Sequence, residues 1–448
     1  MERELSLGAF EQTAPRAWRE EVLGRTLATC FRPLHALMAA PALLFLFTMT
    51  VMLFRPADYR FHSYDRFAFV LLIFVVLLRS WTTRIPLRIA GPLTWPLSGL
   101  LILALHDALS QPYDPETWGV LAAKWLVPLG LYVLAGHIFE DARSRRRFEV
   151  FAWLVLGYLC VIAILFMVGA TEFIFPRYIL DEGLGIHADR ARGPFLQAVA
   201  NGLALNMLGL IAMDSFRRHR LAKVPAILLL AALPLAIVAT KTRAVWLSFA
   251  GSILWLMFFS PSRCLRRTCL CLVLGGGLGL LAMLTLGDSQ LSLKERLEES
   301  SPVAFRMAVY QAGWEMFLQK PLSGWGSLAM QSELRSRISG FHQEQFFLHN
   351  TYLEILVQYG AIGLALYGWV IVGVFRLGRG RPGLHSPVGT FPDAQFRSLW
   401  PLIVVVYLVN GCFVVMNYQF VNGLLFTLAG MLAAQNRRDQ EEMNALSD

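Results

Sequence analysis

The chain has 448 residues, of which 56% are hydrophobic and only 16% charged, and its mean hydropathy is +0.51. A soluble domain is about 25% charged and about 45–50% apolar, so composition excludes a disordered chain and argues against a purely soluble enzyme. The net charge of +9 would suggest nucleic acid in a soluble protein; in a membrane protein it reflects Lys and Arg held on the cytoplasmic side.

A membrane helix needs about 20 mostly apolar residues. In chain order the candidates are 36–54, 67–82, 87–107, 119–138, 149–170, 195–214, 223–240, 244–260, 267–287, 350–375, 398–417 and 420–435. The expected fold is therefore all-α: a polytopic integral membrane protein with about 12 transmembrane helices. Residues 1–35 form a cytoplasmic N-terminal segment, 36–287 the first nine helices, 288–349 a large outer loop, 350–435 the last three helices and 436–448 a cytoplasmic tail. With the N-terminus inside, 25 basic residues fall on inner segments and 14 on outer ones, and Lys124 lies within a span. Six of the outer charges sit in the single 62-residue loop, too long for the charge rule to govern. Both termini are expected to be cytoplasmic, and no nucleic acid is expected as a partner.

The large outer loop has structure of its own. Ser301-Pro302 is a helix start, and Phe305, Val309, Ala312 and Met316 follow at helical spacing. Residues 377–394, rich in Gly and Pro, read as a flexible inner connection. The outer face shows no acidic cluster with metal-ligand spacing, and the carboxylates of loop 108–118 (Asp114, Glu116) and of 295–299 (Glu295, Glu298 and Glu299) read as solvated charge. Cys264, Cys269 and Cys271 lack a matching ligand pair and read as small hydrophobes.

The informative residues are polar groups at the outer ends of spans. Arg190 and Arg192 precede Gly193-Pro194. Arg243 stands in the turn Thr240-Lys241-Thr242-Arg243. Arg306 lies on the loop helix, away from its apolar stripe. His349-Asn350 opens the tenth span, and Glu354 lies just inside it. Singly, an Arg here reaches headgroups, a His caps a helix, and Glu354 pairs with a cation. Together, several arginines and one His at one membrane face suit a polyanionic headgroup and a general base. Guanidinium groups bind phosphate oxygens bidentately and stabilise the charge on a departing pyrophosphate. No Walker-type phosphate loop occurs, so no cofactor is expected, and neither metal nor nucleotide is required.

These residues also carry a family resemblance. His349-Asn350, nine residues, then Gly360-Ala361-Ile362-Gly363 resembles the HN-x9-GxxG signature of bacterial O-antigen ligases. Arg306 through Trp314 to Pro321-Leu322-Ser323-Gly324-Trp325-Gly326 is similar to the R…W…P-L-x-G-x-G run of the wider ligase and polymerase superfamily. Arg192-Gly193-Pro194-Phe195 and Thr242-Arg243 resemble its remaining motifs. The resemblance implies a GT-C-like glycosyltransferase of the bacterial inner membrane. Its donor would be a glycan on undecaprenyl pyrophosphate and its acceptor a lipid A-core sugar or another glycan, among membrane lipids. Part of the active site would lie in the periplasmic loop 288–349. Carried over, Arg192 and Arg243 would hold the pyrophosphate, Arg306 would support the donor site, and His349 would act on the acceptor hydroxyl. Arg190, Asn350 and Glu354 are supporting candidates. The x9 spacing favours a ligase over a polymerase. The absence of an internal repeat disfavours a lipid-linked oligosaccharide transporter.

Overall fold

The computed structural model describes residues 37–56, 63–89, 91–185, 187–286, 301–338, 347–379 and 391–447. The segment 1–35, residues Glu295, Glu298 and Glu299, and residues 380–390 of the inner connection lie outside them. A helix forms at each of the twelve apolar stretches: α1 (Pro41–Leu53), α2 (Tyr64–Thr83), α3 (Thr94–Leu109), α4 (Pro115–Ile138), α5 (Ala142–Met167), α6 (Ala198–Arg217), α7 (Lys223–Ala239), α8 (Arg243–Phe259), α9 (Arg263–Leu286), α12 (Thr351–Leu377), α13 (Ala394–Gly411) and α14 (Gln419–Ser447). Between α9 and α12 come α10 (Ser301–Gln319) and α11 (Ser327–Arg337). There is no strand among the described residues. Five helices are long and apolar enough to cross a membrane: α2, α4, α5, α6 and α12. Four apolar helices, α1, α3, α7 and α8, are shorter.

Local chemistry sets the helix starts. The Asp114 carboxylate accepts from the amides of Glu116 and Thr117, with Pro115 in the first turn. Asp141 and Asp393 accept from Ser144 and Phe396 in the same way. Each cap supplies an acceptor for helix N–H groups that would otherwise lack one. α6 sits at the centre, packed by α5, α7, α8 and α13. Gly202 lies under Val245 and Gly209 under Leu233, where a Cβ would collide, so small residues let α7 and α8 approach α6. Polar side chains join the same helices: the Asn206 amide and the Asn410 amide both donate to Ser248 Oγ, at 3.2 and 3.0 Å.

The two ends of the bundle differ in chemistry. One end is tied by ion pairs. Arg217 bridges Asp214 and Asp393 at 2.5 and 2.7 Å, Arg218 joins Asp214 to Glu149, and Arg397 meets Asp439. The other end gathers residues 171–195, the α7–α8 turn, α10, α11 and residues 347–350 around the first turns of α12.

The loop helix α10 begins at Ser301 and buries Val309, Ala312 and Met316, as the spacing predicts. These residues meet Met330 and Leu334 of α11, together with Leu348 and Val357, in a small core separate from the main one. α11 has no counterpart among the predicted elements. Of its eleven residues only Met330 and Leu334 are buried, too few to produce an apolar period.

Pro321–Gly326 docks on α12 through backbone hydrogen bonds, with the Trp325 side chain packed in the small core beside Val357. The Trp325 and Gly326 amides donate to the carbonyls of Val357 and Gln358 at 2.9 and 3.0 Å, and the Ala361 amide donates to Pro321 at 2.8 Å. α12 can offer these groups because it is broken at Gly360 (φ 66, ψ −165). A Cβ at Gly360 would strike the Leu322 carbonyl, and one at Gly324 (φ 72) the Gln358 carbonyl. The two glycine-bearing motifs are therefore one clasp. The buried Asp107 of α3 locks it, accepting from the Ser327 amide at 2.9 Å and the Gln358 side chain at 3.3 Å. Gly360→Ala is expected to lower stability by about 1–3 kcal/mol and to reduce activity with it. A thermal-unfolding midpoint equal to that of the native protein would show that the break tolerates a Cβ.

Candidate active site

Asn350 and Leu348 fix the backbone on either side of His349. The Asn350 side chain caps α12, its Oδ1 accepting from the Tyr352 and Leu353 amides at 3.0 and 3.1 Å. Leu348 is buried in the small core. Between them His349 adopts φ 48, a left-handed conformation uncommon outside glycine. The Tyr310 hydroxyl of α10 donates towards the His349 carbonyl at 3.3 Å and lies 3.4 Å from that of Cys412. Phe305 and Phe347 present ring edges to the imidazole, with centroids 6.3 and 6.4 Å away. Burial pushes the imidazole pKa down to about 4, and the positive charges of Arg306 and His187 push it the same way. Its ring is therefore neutral at pH 7.

Arg306 and His349 are brought together, as the loop helix and the start of α12 require. Arg306 is half-buried and pairs with no carboxylate among the described residues. His187, from the segment 171–195, joins them; it stands in no sequence motif. Its only signal is its position three residues before Arg190.

Arg192 sits elsewhere than a ligand-contacting role requires. Its side chain is fully buried. Nε donates to the Ile179 carbonyl at 2.9 Å, and the two terminal nitrogens donate to Leu184 and Asp181. The guanidinium thus holds loop 179–184 around itself. Arg190 is near Asp189, at 4.0 Å. The same strip meets the α7–α8 turn: the Ala191 amide donates to the Ala239 carbonyl at 3.1 Å, and the Asn201 side chain donates to the Ala191 carbonyl at 2.8 Å.

Arg243 is the first residue of α8, and it is exposed. It makes no hydrogen bond or ion pair with a described residue. A helix N-terminus carries unpaired N–H groups and partial positive charge. A guanidinium placed there makes the turn attractive to an anion and is otherwise an unfavourable choice of residue.

Glu354 is not available as a free carboxylate. It forms a buried ion pair with Lys124 of α4, the one basic residue predicted inside a span. Lys124 lies in a π-helical turn, residues 122–126, which inserts an extra residue and shifts the side-chain register of α4. Among the described residues no three His, Cys, Asp or Glu side chains are grouped to hold a metal ion.

The geometry gathers a neutral imidazole, a half-buried guanidinium and an exposed guanidinium at one end of a membrane bundle. No curated protein is a match to this chain. Residues 225–368, about a third of the length, match the family model Wzy_C, described as O-antigen ligase. That stretch holds Arg243, Arg306, His349 and the whole clasp, and over it the chain is similar to the O-antigen ligase family, which supports a place in the ligase and polymerase superfamily.

Proposed function

We propose that the protein is an O-antigen ligase of the bacterial inner membrane. It takes a glycan from undecaprenyl pyrophosphate and joins it to a lipid A-core sugar at the periplasmic face. The observation that carries this reading is the convergence of His349, Arg306 and His187 at the end of the bundle that also bears Arg243. The acceptor hydroxyl attacks the anomeric carbon, the bond from that carbon to the pyrophosphate oxygen breaks, and His349 accepts the hydroxyl proton. Direct displacement inverts the anomeric centre. Arg243 and Arg306 stabilise the charge that develops on the leaving pyrophosphate. Arg192 serves by shaping the loop that carries Arg190 and His187, rather than by touching the donor.

Expression in a strain that lacks its own ligase tests the assignment. Restoration of long glycan-bearing lipopolysaccharide bands is the expected result. Growth of a single core-plus-one-unit band into a ladder, in a strain that lacks its polymerase instead, would identify a polymerase.

Two further results follow from this reading. Transfer by the purified protein is expected to persist in excess EDTA, because the pyrophosphate leaving group is already activated and guanidinium groups take the part of a cation. Abolition by EDTA with rescue by a divalent ion would overturn that. The orientation, with both termini cytoplasmic, rests on the basic-residue partition and on the segregation of the two ends. In a background without native cysteines, Ser336→Cys is expected to react with an impermeant thiol reagent and Arg143→Cys to be protected; both positions are exposed. The reverse pattern would invert the topology.

A further inference from the structure

At the end of the bundle opposite His349, a cavity of about 490 Å³ opens between Arg88, Ile89, Gly91 and Pro92 on one side and α4, α12 and α14 on the others. Arg88, Arg376 and Arg437 reach it from three separate elements. The only carboxylate bonded to any of them among the described residues is Glu441, 2.6 Å from Arg88; both of those side chains are more than half exposed, so the pair is weak and readily exchanged. Arg376 is exposed, and its side chain makes no hydrogen bond or ion pair with a described residue. Arg437 Nε is buried and has no acceptor. His137 Nε2 accepts the Arg88 amide at 2.9 Å and so holds the segment that carries the first guanidinium. The remaining wall is partly apolar, with Val133, Trp369 and Leu377.

This combination fits one ligand chemistry. Three guanidinium groups with few acidic partners call for a phosphate. The apolar wall calls for carbon attached to that phosphate, which free phosphate lacks. The cavity lies at the C-terminal end of α12, beside Arg376 and Leu377, and basic pockets between helices at such ends take acidic headgroups. We propose that it binds the phosphodiester of an anionic phospholipid in the leaflet opposite the His349 site. The site contributes nothing to the transfer reaction and holds α4, α12 and α14 at their inner ends.

The test uses the full-length protein in neutral detergent, with bound lipid counted by native mass spectrometry. Phosphatidylglycerol is expected to be retained at about tenfold lower concentration than phosphatidylcholine. Arg376→Ala and Arg437→Gln are each expected to weaken phosphatidylglycerol retention several-fold. Arg376 makes no bond that the fold requires, so its replacement keeps the protein folded; circular dichroism checks this. Equal retention of the two lipids, or retention unchanged in both variants, would overturn the proposal. Displacement of phosphatidylglycerol by millimolar inorganic phosphate would assign the arginines to a soluble anion and overturn the lipid assignment. None of these outcomes depends on glycan transfer, so failure here is distinguishable from failure of the ligase reading.

Discussion

His349→Ala is expected to slow transfer by about a hundredfold while leaving the affinity for the lipid-linked donor nearly unchanged. A sugar hydroxyl is a poor nucleophile, and it improves only if its proton is accepted as the new bond forms. His349 is the neutral group placed for this, held between the Leu348 anchor and the Asn350 cap. Donor affinity depends instead on the guanidinium groups. A variant that transfers at the native rate once donor saturates would leave His349 as a binding residue only.

The same residue sets the acid side of the pH profile. A base must be unprotonated to act, so its contribution is lost as pH falls through its pKa. In the free protein that pKa is pushed down to about 4 by burial and by Arg306 and His187. The kcat/KM profile reports the free enzyme and is expected to stay flat from pH 7 to about pH 5. The kcat profile reports the donor-bound enzyme, in which pyrophosphate charge favours the imidazolium. Its acid limb is expected to lie at higher pH than that of kcat/KM. An acid limb for kcat/KM at or above the ordinary histidine value of about 6.5 would show that the site is wetter and less cationic than the structure has it.

Periodicity and capping made much of this architecture legible in the sequence. Val309, Ala312 and Met316 are spaced to be buried together, and they are. Asn350 is a residue type that caps helices, and α12 starts immediately after it. Charge at span ends pointed to one polar face, and His349 and Arg306 meet there. What stayed hidden depends on contacts remote in the chain. Lys124 and Glu354 are 230 residues apart, and nothing local marks them as partners. In sequence the glycines of the two motifs stand as separate signatures. Only the fold shows that they face each other, so that a helix can break at Gly360 and receive the loop. Arg192 is the clearest departure. A lone Arg at a span end looks like a ligand contact, but the preceding loop folds back and supplies three carbonyls to it. That loop has no regular period from which its path could be read.

The contrast between Arg243 and Arg192 yields the second large effect. Arg243→Ala is expected to weaken donor binding by about ten- to a hundredfold, because a hydrogen bond to a charged group contributes about 1.5–3 kcal/mol. The fold is expected to stay intact, since the side chain is exposed and bonds to no described residue. Arg243→Lys keeps the charge but loses the planar fork, so its donor affinity is expected to lie between those of the native protein and the alanine variant. Arg192→Ala acts differently. It removes the donors to three carbonyls of a loop in which Ile179 is buried and Leu184 half-buried, and a buried acceptor left unpaired costs about 1–3 kcal/mol. The thermal midpoint is therefore expected to fall together with activity, and Arg192→Lys, whose ammonium cannot span three carbonyls in one plane, is expected to recover little. Donor affinity and thermal midpoint measured on all four variants separate the two roles. An Arg192→Ala protein with native stability and lost donor affinity would return Arg192 to the pyrophosphate. Unchanged donor affinity in Arg243→Ala would remove the α8 N-terminus from the donor site altogether.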